Sequence, residues 1–134
     1  MRRHPDARAA SVARVTGHAQ TAARVLATGR VLIGAVLFAA PDLVATPWVG
    51  DDGRTSGARV LARSMGARDA ALGAGTLVAA GDRAALRRWL LASSACDAAD
   101  FVATLAGPRA PARAMVLAFA AAGALTGLAA AAAI

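Results

Sequence analysis

The chain contains no lysine, no glutamate and no tyrosine. All 15 cationic residues are arginine and all 8 acidic residues are aspartate, a one-sided usage that reads as coding background rather than chemistry. The single cysteine, Cys96, excludes an internal disulfide, and its apolar surroundings make it a small buried residue. Aromatic residues are only 4% of the chain. That scarcity matters because the net charge of +7 and the pI near 11.7 would otherwise point to nucleic acid. With so few aromatics, no tyrosine among them, and with the arginines scattered, nucleic acid is excluded as a partner and basic membrane-facing ends account for the charge. Both histidines, His4 and His18, fall in the N-terminal stretch, so no zinc site is expected. Asp69, Asp97 and Asp100 resemble a magnesium set, but neighbouring arginines oppose a cation. No nucleophile–base pair and no cofactor motif is present, so neither a metal nor a cofactor is expected.

The chain is instead rich in apolar residues, at 57%, with a mean hydropathy of +0.51 and only 17% charged residues. Soluble domains sit nearer 45–50% apolar. Four apolar segments stand out, at about 22–40, 58–80, 86–106 and 112–134. Residues 114–134 carry no charge at all. At about 1.5 Å per residue those positions reach about 30 Å, the thickness of a hydrocarbon core. Pro41-Asp42 ends the first segment and opens a loop over 41–57, rich in Pro, Gly and Asp, with Trp48 placed at the membrane surface. About 30 residues precede the run 31–40, too many for an ordinary signal-peptide n-region.

These features predict an all-α, four-helix transmembrane bundle running up-down-up-down over 22–134. Residues 1–21 form a cytoplasmic tail or an interfacial helix. Arginine counting favours both termini on the cytoplasmic side of a bacterial inner membrane: five arginines precede position 25 and Arg83, Arg87 and Arg88 cluster in the second turn.

Charges inside such segments are the functional lead, because an ionised side chain at mid-bilayer costs about 2.5–3.5 kcal/mol unless paired or hydrated. At 100° per residue, Trp89, Ser93, Cys96, Asp97, Asp100 and Thr104 share about a third of the third helix. On the second helix Arg59, Arg63, Gly66, Ala70 and Gly73 share one face, with Asp69 at its edge and Arg68 nearly opposite. The candidate network is therefore Arg30, Arg59, Arg63, Arg68, Asp69, Ser93, Asp97 and Asp100, with Arg63–Asp100 the leading pair. Gly66 and Gly73 are expected to let the second and third helices approach. Gly123 and Gly127 form a G-x-x-x-G ridge expected to pack on another helix, within the chain or in a homo-oligomer.

The segment Ala62-Arg63-Ser-Met-Gly66-Ala-Arg68-Asp69-Ala-Ala-Leu-Gly73, preceded by Trp48-Val-Gly50 and followed by Asp97-Ala-Ala-Asp100, resembles a family of small bacterial integral membrane proteins, domain of unknown function 4267. The resemblance covers roughly 25–130, and Arg63, Gly66, Arg68, Asp69 and Gly73 match its motif. It implies a four-helix membrane architecture and carries no activity with it.

Three functional classes remain open. The first is a small transporter or ligand-binding membrane protein with membrane lipid around it. The second is a structural or assembly subunit, since buried ion pairs also fix helix register. The third is a membrane enzyme using Asp97 or Asp100 as acid or base, which nothing else in the sequence supports.

Overall fold

The computed structural model describes residues 5–134, with side-chain surroundings from Arg14 onward except Thr16. Every regular element among them is helical: α1 (Pro5–Ala39), α2 (Pro41–Val49), α3 (Ser56–Val78), α4 (Arg83–Ala106) and α5 (Arg113–Ala133). Single 3-10 turns lie at Asp51–Arg54 and Ala79–Gly81. The described residues are thus all-α, as the composition requires.

Two boundaries differ from the sequence expectation. Helix α1 begins at Pro5 rather than near 22, so most of the expected tail continues the first helix. His4, Arg2 and Arg3 lie outside the described residues. The expected loop over 41–57 contains a helix, α2, and a 3-10 turn. Pro41 stops α1 but stands at the first position of α2, where its fixed φ suits a helix and its missing N–H is not needed. Helix α2 ends at Gly50, whose φ of 81° is one that glycine adopts without cost.

The remaining starts follow standard capping chemistry. The Thr55 hydroxyl accepts from the Ala58 amide at 3.2 Å and opens α3. The Asp82 carboxylate accepts from the Ala84 and Ala85 amides at 2.9 and 3.1 Å and opens α4.

The four long helices pack as two tight antiparallel pairs. In the first, glycines let α1 and α3 approach backbone to backbone. A Cβ at Gly66 would lie 2.6 Å from the Gly34 carbonyl oxygen, and one at Gly73 would lie 2.5 Å from that of Ala27. In the second, α4 lies on α5, where a Cβ at Gly123 would meet the Asp97 carboxylate and one at Gly127 the Ser94 hydroxyl. The Gly123–Gly127 ridge therefore packs inside the chain. Gly66 and Gly73 face α1, not α4 as the sequence expectation had it. Ala19 and Ala23 of α1 join Leu86 and Leu90 of α4 and Ala130 and Ala131 of α5 in one apolar cluster that ties the pairs together.

The distribution of side chains is inverted relative to a water-soluble domain. The buried apolar positions are mostly alanine, and Leu86 is the largest fully buried side chain. Large apolar side chains point outward: Val78 is 88% exposed, Phe119 72% and Leu125 68%. Two helical stretches, Gly17–Ala39 and Arg113–Ala133, are long and apolar enough to cross a membrane by length and composition. The charged helices α3 and α4 do not meet that measure, so it supports two of the four expected spans.

Candidate functional site

Helices α1, α3 and α4 each bring charge to the seam between the two pairs. Arg30 of α1 donates from Nη1 to Asp69 Oδ1 at 3.0 Å and from Nη2 to Asp97 Oδ2 at 2.5 Å. Arg68 of α3 grips Asp100 with two parallel bonds, Nη1 to Oδ1 at 3.1 Å and Nη2 to Oδ2 at 2.7 Å. Its Nε and Nη2 also reach Asp69 Oδ1, at 3.2 and 3.1 Å. Asp69 is the shared acceptor of both arginines, and the chain Asp97–Arg30–Asp69–Arg68–Asp100 is continuous. A two-pronged arginine–carboxylate bond is the strong form of this contact. Arg30 is only 13% exposed and Arg68 31%.

The network holds two arginines and three aspartates, a formal charge of 2 − 3 = −1. The donors are unevenly shared. Among the described residues Asp69 accepts three hydrogen bonds and Asp100 two, while Asp97 accepts one, from Arg30. Asp97 is therefore the least compensated carboxylate.

Five of the eight expected polar residues come together here: Arg30, Arg68, Asp69, Asp97 and Asp100. Three do not. Arg63 does not pair with Asp100; its Nε donates to the Phe38 carbonyl at 3.3 Å on the outer surface. The reason lies in the close approach of α1 and α3. The face bearing Gly66 and Gly73 is filled by the α1 backbone, which leaves no room for an arginine side chain. Arg68 reaches α4 instead, and Asp69 beside it is held by Arg30 of α1. Arg59 is occupied elsewhere, with Nε and Nη2 each donating to Asp42 of α2 at 2.8 Å. Ser93 is buried on α4 and makes no hydrogen bond to the network.

Beside the Arg68–Asp100 pair lies a partly open cavity of about 340 Å³. Its walls are apolar, with Leu37 of α1, Trp48 and Val49 of α2, Leu61 and Met65 of α3 and Ala103 of α4 among them. Helix α2 closes one side. It is tied to α3 by Asp42–Arg59 and to α4 by the Trp48 indole, which donates to the Thr104 hydroxyl at 3.0 Å. Trp48, expected at a membrane surface, thus lines the cavity wall. Its signal as a pocket residue was the indole N–H, which needs an acceptor wherever the ring is covered. Among the described residues no group of three or more His, Cys, Asp or Glu side chains is placed to hold a metal ion.

The Asp42–Arg59 tie gives a pH expectation. The Arg59 hydrogen bond holds the Asp42 carboxyl below its ordinary value of 3.8. A depressed folded-state value means that the pair's contribution is complete above 3.8 and is lost as pH falls through the lower folded-state value. Both partners are solvent-exposed, so salt screens the contribution. The melting temperatures of the parent and Asp42→Asn are expected to differ slightly at neutral pH and to converge in strong acid. A gap that widens on acidification would contradict the pairing.

No protein-family model, no curated protein and no solved structure matches this chain.

Proposed function

We propose that the chain is a multi-pass membrane protein of the family it resembles in sequence, and that it binds or carries a small ligand at the seam between its helix pairs. The observation that carries the ligand reading is that the Arg68–Asp100 end of the ion-pair network borders a cavity instead of being sealed by packed side chains. An ion pair serving only to fix helix register has no need of an adjoining void, and voids cost packing energy. The membrane reading is supported by the outward-facing Val, Leu and Phe side chains, too extensive an apolar surface for a monomer in water. On this reading α3 and α4 also cross the bilayer, with their charges held inside. The structural-subunit alternative draws on one feature, that each network carboxylate already has an arginine partner.

Two measurements test the two halves of the proposal. After Cys96→Ser, single cysteines at Asp52 and Ala84, at opposite ends of α3, are exposed to an impermeant maleimide on intact cells. Labelling of position 52 alone is the expected result, and position 84 reacts only after permeabilisation. Equal labelling of both on intact cells removes the crossing of α3. Native mass spectrometry of the purified protein then reads occupancy. A small-molecule adduct that diminishes in Ala103→Leu is expected. A bare protein mass under conditions that preserve added lipid favours the structural subunit.

A further inference from the structure

We infer that the cavity bounded by α1, α2, α3 and α4 takes a neutral, largely hydrocarbon molecule ending in a hydroxyl group, with the Arg68–Asp100 pair as the receptor for that hydroxyl. The inference rests on the ligand-binding reading above and specifies its ligand.

The wall composition sets the body of the ligand. Leu37, Val49, Leu61, Met65 and Ala103 offer no hydrogen-bond donor and no acceptor beyond the weak Met65 thioether, so the part of the ligand lying against them is hydrocarbon. The volume of about 340 Å³ falls at the small end of the range for ligand pockets. It suits one short chain or a compact ring system.

The polar lining sets the head group. Trp48 Nε1–H is spent on Thr104. Arg68 has five N–H donors. Four hydrogen bonds use Nε–H once, Nη2 twice and Nη1 once, which leaves one Nη1 hydrogen without an acceptor among the described residues. Each Asp100 oxygen accepts one bond from Arg68 and keeps a lone pair. The pair thus presents one spare donor beside spare acceptors, and it is neutral as a unit. A hydroxyl accepts from the first and donates to the second. A carboxylate would have to compete with Asp100 for Arg68 and would be repelled by it. An ammonium ion would be repelled by Arg68. The surplus carboxylate, Asp97, does not line the cavity, so it does not tip this wall towards cations.

An alcohol of this size reaches the cavity either from the bilayer or from water, and the recognition chemistry is the same. The test uses the full chain in detergent with Trp89→Phe, so that emission reports Trp48 alone. Three probes of equal chain length are titrated: 1-decanol, decanoate and decyltrimethylammonium. A saturable change in Trp48 emission with 1-decanol is expected, at least about tenfold tighter than with either charged probe, a difference worth about 1.4 kcal/mol. Ala103→Leu, which fills the cavity without touching the ion pairs, is expected to abolish saturation while the melting temperature holds. Butanol, too short to fill the cavity, is the water-side arm. Binding of butanol as tight as that of 1-decanol assigns a soluble alcohol, and decanol preference assigns a membrane-derived one.

Tighter binding of decanoate overturns the inference and makes Arg68 an anion receptor. A linear, unsaturable response identical in parent and Ala103→Leu overturns it as mere partition into detergent. Either failure leaves the membrane crossing, tested by cysteine labelling, untouched. An adduct whose mass identifies a carboxylic acid or a quaternary ammonium compound would keep the ligand-binding reading while sinking the alcohol.

Discussion

Arg68→Gln is expected to lose about 3 kcal/mol of stability, because it strands the Asp100 carboxylate in an apolar interior and leaves Asp69 with Arg30 as its arginine partner. Removing one member of a buried ion pair typically costs about 3–5 kcal/mol, and the partial exposure of Arg68 places it at the lower end. Asp100→Asn loses a similar amount, because the guanidinium gives up its two-pronged partner and keeps only the carboxylate of Asp69, which it shares with Arg30. The double variant recovers a large part of the loss, since the uncompensated charge has gone. Asp97→Asn behaves differently. It removes a carboxylate held by one arginine hydrogen bond, where Asp100 has two and Asp69 three, so it is the mildest of the aspartate replacements in the network. The measurement is thermal unfolding of the four variants in one detergent. A melting temperature for Asp97→Asn as low as that for Asp100→Asn would mean that the number of arginine hydrogen bonds to each carboxylate does not govern this cluster.

Gly66→Ala is expected to be at least as damaging despite adding a single methyl group. The new carbon would lie 2.6 Å from the Gly34 carbonyl oxygen and 2.7 Å from the Phe38 amide nitrogen. Both are backbone atoms, so relief requires α1 and α3 to separate. Overpacking a core costs about 1–3 kcal/mol when side chains absorb the strain. Here they do not, and a loss of about 3 kcal/mol or a failure to accumulate folded protein is expected. Gly57→Ala is the control. Nothing lies within 4 Å of its Cβ position, and alanine is worth up to about 1 kcal/mol over glycine in a helix. If Gly66→Ala melts with the parent while Gly57→Ala behaves as stated, the helices are not in backbone contact there.

The helical architecture was legible because uninterrupted apolar runs admit little else, and four of the five helices fall on the four apolar segments. The fifth, α2, was hidden because Pro41, Pro47 and the nearby glycines signal turns, and the helix-starting role of proline looks the same on paper as its helix-breaking role. The candidate site was legible as a set, since Arg30, Arg68, Asp69, Asp97 and Asp100 are conspicuous in apolar surroundings. Its pairing was not. Helical-wheel angles place Arg63 on the small-residue face and Arg68 opposite it, and they would serve if that face met α4. Which neighbour a glycine face meets depends on the fit of whole surfaces, and here α1 takes it. The cavity was invisible for the same reason, because its walls come from four helices and no motif links them.

The position of Asp69 between the two arginines has a consequence for a chain built from its N-terminus. Arg30 and Arg68 leave the ribosome well before their partners on α4. Twenty-eight residues separate Asp69 from Asp97 (97 − 69), about 1–6 s of synthesis at about 5–20 residues per second. During that interval Asp69 is the one carboxylate of the seam already made, and both arginines reach the same oxygen of it in the finished fold. The α1–α3 hairpin then carries a seam charge of 2 − 1 = +1, and the finished chain carries −1. The sign of the buried charge thus reverses as α4 arrives, and a product that stops between residues 69 and 97 keeps the opposite polarity from the whole protein.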